Sequence, residues 1–448
     1  MKRKWLDKKV LILGLSKSGV SAAKYLNSKG ADCFITEFKE AQDKDLDLIK
    51  ELESLGISVE TGSHSEEFIK DSYIAVTSPG IPPHAPIFQR LKENKIPVIS
   101  EIELAYLETL TPFVAITGTN GKTTTTSLIS HILDSQYKAP ECGNIGVPPT
   151  SLVEGKNDYL VCEVSSYQTE MSPTFRPQIA CFLNFTPDHI DWHQGLENYF
   201  DAKAKLFAEY KQPAFAVFNA LDEKVFNFSQ NYSGEKYYFG KEFESNCCYV
   251  KNDAIFFKKN TQEEIIKLAD VTLVGEHNLQ NIMCAVIVAK IIGLDNEKIK
   301  EQIKTFKAVE HRVEFVANVT GKEFYNDSKA TNPEASIVAL KSFEGKTLTL
   351  IAGGRDKNTD LTEFCNMVKK HVNSVILIGE ASERFKTELE KSGYNNILFA
   401  NSLQEAVDKS LELDNQVVLL SPACASFDMF ENYERRGEVF KEYVSSKI

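Results

Sequence analysis

The chain has 448 residues, with 51 Lys and Arg against 63 Asp and Glu and a formal net charge of -12 at pH 7. No basic patch stands out, so a general nucleic-acid or membrane-surface role is excluded and acidic ligands must be held by local groups. Hydrophobic residues at 42% and charged residues at 25% are ordinary for globular domains, and the length suits about three of them.

Near the start, the apolar run 10–13 is a strand's length, too short for a signal-peptide core, and no stretch approaches a membrane span. Nine cysteines, an odd number with no C-x-x-C pair, fit a reducing compartment, so a cytoplasmic location is expected. Strand 10–13, a glycine turn, helix 18–29 and strand 32–36 read as a βαβ opening. The turn Gly14-Leu15-Ser16-Lys17-Ser18-Gly19 is a dinucleotide fingerprint with serine in place of the middle glycine. Glu37 closes the second strand where such folds keep a ribose-binding acid. The serine weakens the case for a pyrophosphate pressed on the backbone, and a packing turn without ligand is the competing reading. Residues 74–83 form a strand ending in a Ser-Pro-Gly turn at Ser78, of the kind that lines ligand crevices.

A second unit begins near residue 101 and contains FVAITGTNGKTTTT at 113–126. An apolar strand runs into a glycine turn, a lysine and a threonine-rich helix start. The common phosphate loop, G-x-x-x-x-G-K-[ST], needs glycine at 116, where this chain has Ile116. The loop is therefore the shorter G-x-x-G-K-T. Gly118, Thr119, Asn120, Gly121, Lys122, Thr123 and Thr124 form an ATP site, with backbone N–H groups and a helix N-terminus aimed at phosphate. Lys122 reaches the terminal phosphoryl oxygens, and Thr123 offers its hydroxyl to magnesium. The buried strand in 158–168 delivers Glu163, a second magnesium ligand or else a solvated strand-end acid. The strand in 180–193 delivers Asp188 and His189, and helix 197–210 carries Lys203. A lone histidine is usually structural, but His189 shares a unit with Lys122 and Glu163. A helical lysine is usually a solvated charge, and nothing in the periodicity overturns that for Lys203. His277, Asn278 and Asn281 open an apolar helix, where capping is the plain reading.

A third unit starts around residue 309. Its strands lead into two polar loops, Asn-Asp-Ser-Lys-Ala-Thr-Asn at 326–332 and Ser-Pro-Ala-Cys-Ala-Ser at 421–426. Both suit helix caps, and both suit a substrate pocket. Strands alternating with helices predict an α/β protein with a mainly parallel sheet in each of three domains, 1–100, 101–308 and 309–448.

GTNGKTT (118–124), GNIG (143–146), EVSSYQ (163–168), DH (188–189), YFDAK (199–203), GEHNLQN (275–281), HR (311–312), NDSKATN (326–332), GGRDK (353–357) and SPACASFDMFENYERRG (421–437) occur in that order. This series resembles the Mur ligase family over essentially the whole chain. NDSKATN and SPACAS resemble the members that add D-glutamate to UDP-N-acetylmuramoyl-L-alanine. The resemblance implies a Rossmann-like UDP-binding domain, a central phosphate-loop ATPase domain and a Rossmann-like C-terminal domain. It implies ATP-driven amide formation through an acyl phosphate, in a cytoplasmic monomer with two magnesium ions. Lys122, Glu163, His189 and Lys203 would be catalytic. Thr123 and Glu163 would hold the first magnesium, and His189 with Lys203, carbamylated by carbon dioxide, the second. Asn278, Asn281, Arg312 and Asp327 would bind ATP, and Asn144 the muramoyl group. Lys329, Thr331, Lys357, Ser426, Phe427 and Tyr433 would surround D-glutamate; the family often has phenylalanine where Tyr433 stands. Lys17, Ser18, Glu37, Phe38 and Ser78 would bind UDP. The C-terminal unit would close over ATP.

Two other classes stay in view. A nicotinamide-dependent oxidoreductase would use the first turn, against which stand Ser16 and the ATP loop. A nucleotide-gated binding module would hydrolyse ATP without joining substrates.

Overall fold

The apolar runs become strands buried on both faces: Lys9–Leu13, Phe113–Thr117 and Leu348–Gly353 are nearly or wholly enclosed. Continuous apolar strands of this kind belong to parallel sheets covered by helices. The computed structural model describes residues 4–82, 84–187 and 190–448. They divide into two units, Met1–Ala269 with Gln280–Ile303, and Asp270–Leu279 with Lys304–Ile448.

The first unit contains two sheets. One is wholly parallel, in the order Ser58–Thr61, Asp32–Glu37, Lys9–Leu13, Ile74–Thr77, Val98–Ser100. The order reverses beside Lys9–Leu13, which opens a crevice at the carboxyl ends of the strands. The other sheet has nine strands among the described residues, with Phe113–Thr117 parallel to Leu160–Glu163 on one side and Ile179–Phe182 on the other. Its far edge is an antiparallel meander, Cys247–Lys251, Ala254–Lys258 and Gln262–Lys267, absent from the sequence reading. Asn252 and Asp253 make its first turn at φ 47° and 57°, the left-handed pair that a two-residue hairpin needs.

The helix expected over 197–210 stops at Ala204 and is followed by two short 3₁₀ turns. Ala208 takes ψ 142°, which redirects the chain so that Phe207 enters the core and Lys211 donates to Ser172 O at 2.6 Å. The helix Glu101–Glu108 follows the first sheet and is anchored to the second. Glu101 accepts from Thr150 N and Oγ1 at 2.7 and 2.6 Å, and Thr150 Oγ1 lies 2.8 Å from Ser21 Oγ. Burial pushes the Glu101 carboxyl up to about 7 against those bonds.

The second unit has one six-stranded sheet, ordered Glu314–Val319, Lys322–Asn326, Val417–Leu420, Leu348–Gly353, Ser374–Ile378, Ile397–Phe399. The first pair is an antiparallel hairpin and the rest are parallel. Among the described residues no helix is long and apolar enough to cross a membrane.

Candidate active site

The centre of the nine-stranded sheet builds the phosphate loop. Phe113–Thr117 ends in Gly118 at φ 150°, and Gly121 at φ 81° turns the chain into the helix Lys122–Asp134. Only glycine takes that αL path without strain. It also leaves room: a Cβ on Gly121 would come within 2.6 Å of Asn281 Oδ1. Asn281 in turn accepts from Thr125 Oγ1 at 3.1 Å, so the loop rests on this residue far along the chain.

Two lysines converge on the loop. Lys122 Nζ donates to Gly118 O at 3.0 Å and Thr119 O at 2.8 Å. Lys203 Nζ donates to Gly118 O at 2.8 Å and lies 4.4 Å above the Tyr199 ring. Lys203 is 1% exposed, so the surface reading of a helical lysine fails here. The first turn of the helix also meets an acid. Glu163 is buried, accepting from Thr123 Oγ1 at 2.9 Å through Oε2 and from Asn144 Nδ2 at 3.0 Å through Oε1. A carboxylate and a hydroxyl oxygen at that spacing are hard donors of the kind magnesium takes. His189 lies outside the described residues.

Asn184, which lies in no quoted motif, and Tyr199 of YFDAK brace this loop. Asn184 Oδ1 accepts from Asn120 N at 2.8 Å, and its amide returns a bond to Asn120 O at 3.0 Å. Tyr199 donates to Thr119 Oγ1 at 3.3 Å. Thr124 is buried in the first turn of the helix.

The five-stranded sheet carries a cavity of about 580 Å³ lined by Glu37, Phe38 and Ser78 among others. Ser16 Oγ donates to Ser78 Oγ at 2.8 Å, and Glu37 accepts from Leu15 N at 3.1 Å. Lys17 and Ser18 open the helix Lys17–Ser28 and are not among the lining residues.

In the second unit, a cavity of about 810 Å³ is lined in part by Asn278, Val313 and Tyr325. His311 and Val313 hold φ 62° and 47°, so the backbone on both sides of Arg312 is strained. Asp327 is buried, accepting from Ser421 Oγ at 2.7 Å and Val313 N at 3.2 Å. Burial pushes its carboxyl up to about 7, against the Ser421 hydroxyl and the Arg312 guanidinium. The two polar loops meet here. Lys329 lies 5.2 Å over the Tyr433 ring, and Lys357 donates to Thr331 O at 3.1 Å. Ser426 is buried and Phe427 is 67% exposed. Arg436, quoted in a motif but given no role, fastens both loops. Its guanidinium donates to Ser328 O at 2.8 Å and Cys424 O at 3.1 Å.

Comparison with known proteins gives the family. The family descriptions that match are Mur ligase MurD-like, N-terminal domain, over residues 8–100, Mur ligase middle domain over 116–289, and Mur ligase, glutamate ligase domain, over 311–424. A UDP-N-acetylmuramoylalanine–D-glutamate ligase of Caldicellulosiruptor bescii is 40% identical over 452 residues, covering 98% of this chain and 98% of the relative. Its counterpart in Clostridioides difficile is 38% identical over 447 residues, with the same 98% of each chain covered. Among solved structures, the UDP-N-acetylmuramate-alanine ligase of Thermotoga maritima aligns at TM-score 0.59 and 18% identity, over 98% of this chain and 100% of that one. A pseudomurein peptide ligase type C from Methanothermus fervidus aligns at TM-score 0.58 and 18% identity, again over 98% and 100%. At such identity these two speak for the fold alone. The chain belongs to the Mur ligase family.

Proposed function

We propose that the chain joins D-glutamate to UDP-N-acetylmuramoyl-L-alanine at the expense of ATP, in cytoplasmic synthesis of peptidoglycan precursors. One observation carries this reading: Lys122 and Lys203 share Gly118 O, in a chain that matches D-glutamate-adding ligases over 98% of its length.

A carboxylate is a poor electrophile. Moving the γ-phosphoryl group of ATP onto a carboxylate oxygen of the UDP substrate yields ADP and an acyl phosphate. The D-glutamate amine then attacks the acyl carbon and loses a proton, and the C–O bond to phosphate breaks as phosphate leaves. Phosphoryl transfer needs positioning and charge neutralisation more than covalent help from the protein. Lys122 supplies a cation at the loop, and Thr123 with Glu163 would hold a magnesium ion. Magnesium, when bound, neutralises phosphate charge.

Lys203 is read as carbamylated by carbon dioxide, which turns an ammonium into an anion able to hold a second magnesium with His189. Asn278, Asn281, Arg312 and Asp327 are assigned to ATP, and Asn144 to the muramoyl group. Lys329, Thr331, Lys357, Ser426, Phe427 and Tyr433 are assigned to D-glutamate, where cations must meet carboxylates. Lys17, Ser18, Glu37, Phe38 and Ser78 are assigned to UDP. The functional domains run over 1–100, 101–308 and 309–448, in a monomer.

Phosphate release measured with each substrate withheld in turn tests the reading. Release should require ATP, UDP-N-acetylmuramoyl-L-alanine and D-glutamate together. Release that persists without the UDP substrate or without D-glutamate overturns it.

A further inference from the structure

His64 belongs to no motif of the sequence, yet it lines the cavity of about 580 Å³ in the first sheet together with Ser16, Glu37, Phe38 and Ser78. Its backbone is held by Arg90, whose guanidinium donates to His64 O at 2.5 Å and to Glu66 at 2.9 Å. The ring is fixed on its inner side, where Nδ1 lies 2.7 Å from Oγ1 of the fully buried Thr36.

A count of protons sets the tautomer. The Thr36 hydroxyl also lies 2.7 Å from Glu60 Oε1 and 3.2 Å from Ser63 O. A carboxylate and a carbonyl only accept, and a hydroxyl has one proton to give. That proton goes to Glu60 at the shorter distance. Nδ1 must therefore carry a proton and donate it to Thr36 Oγ1. In the neutral ring Nε2 is then the acceptor, on the side away from Thr36. Burial, the largest influence, keeps His64 below its ordinary value of 6.5, with Arg90 acting the same way and the Glu60 and Glu37 carboxylates opposing. The ring is thus neutral at neutral pH.

Beside it stands an aromatic face. The Phe38 ring lies 5.9 Å from the imidazole at 38°, and Phe38 is 71% exposed. The cavity therefore offers an exposed aromatic face and, among its polar groups, the imidazole acceptor Nε2 beside it. A flat base with a ring N–H on its Watson–Crick edge suits both. Uracil has N3–H there between two carbonyls, whereas cytosine presents a bare N3 lone pair.

We propose that His64, in the tautomer imposed by Thr36 and Glu60, selects uracil over cytosine by accepting a hydrogen bond from N3–H at Nε2. This rests on the reading that a uridine nucleotide occupies the cavity.

Calorimetric titration of the full chain with UDP, CDP and N3-methyl-UDP tests it, in the wild type, His64→Phe and His64→Gln. The wild type should bind UDP about tenfold or more tighter than either analogue. His64→Phe should lose about tenfold for UDP and stay within about twofold for the analogues, which also reports an intact fold. His64→Gln keeps an amide-oxygen acceptor and should retain part of the preference. A UDP preference unchanged in His64→Phe, or an equal loss for all three nucleotides, overturns the role of His64 while the uridine reading stands. Failure of the wild type to bind UDP overturns the uridine reading itself.

Discussion

Two corners of the first unit share a strand–turn–helix plan and a glycine-and-lysine vocabulary. At 14–19 the protein's own acid fills the corner. Glu37 accepts from Leu15 N at 3.1 Å and Lys39 N at 3.0 Å, while Ser16 Oγ caps the helix through Gly19 N at 3.4 Å. Gly19 is there for packing, because a Cβ would lie 2.2 Å from Gly14 O. At 118–123 the helix has no side-chain cap, and Glu163 stands back at the end of the neighbouring strand. Lys122 and Lys203 both reach into that corner. Glycine spacing sets the backbone path, and the side chain beside the turn decides what can enter it. At the first corner a carboxylate takes up the loop N–H groups, whereas at the second Lys122 stands at a helix start left open to a phosphoryl group.

Substitutions sharpen or break this contrast. The largest effect is expected for Lys122→Ala, which should lower kcat at least about 10³-fold while UDP affinity stays within about twofold. A loss below tenfold, in steady-state phosphate release, would remove the second corner from the chemistry. Lys203→Ala should lose about 10²-fold or more and recover part of it on adding formate or acetate, which can stand in for a carbamate. Full activity without additives would sink the carbamate reading. Ser16→Ala should act least. Loss of the cap costs about 1 kcal/mol, seen as a melting shift of about 2–4 °C, with kcat within about twofold. A kcat loss matching that of Lys122→Ala would mean that both corners handle the transferred phosphoryl group.

Much of the site was legible because its parts are local. The strand, the two glycines, Lys122 and Thr123 lie within a dozen residues, where φ preference and helix-start chemistry act directly. Glu163 was legible as the residue ending an apolar strand of a parallel sheet. Lys203 was misread by periodicity, since a nine-residue helix does not reveal which face its neighbours cover. The antiparallel edge at 247–267 was missed for another reason. A lone turn such as Asn252-Asp253 is a weak signal until the strands beside it are seen to pair.

The amino-acid order by itself determined the three α/β sheets, the short phosphate loop and the family, because backbone preference and apolar patterning act over a few residues. Tertiary structure alone decided which distant side chains complete each corner. Asn281 lies under the loop, Asn184 braces it, Arg436 ties two loops of the second unit, and Glu60 sets the tautomer of His64 through Thr36. The reason is physical: a buried polar group must find a partner, and the fold, not the spacing along the chain, supplies it.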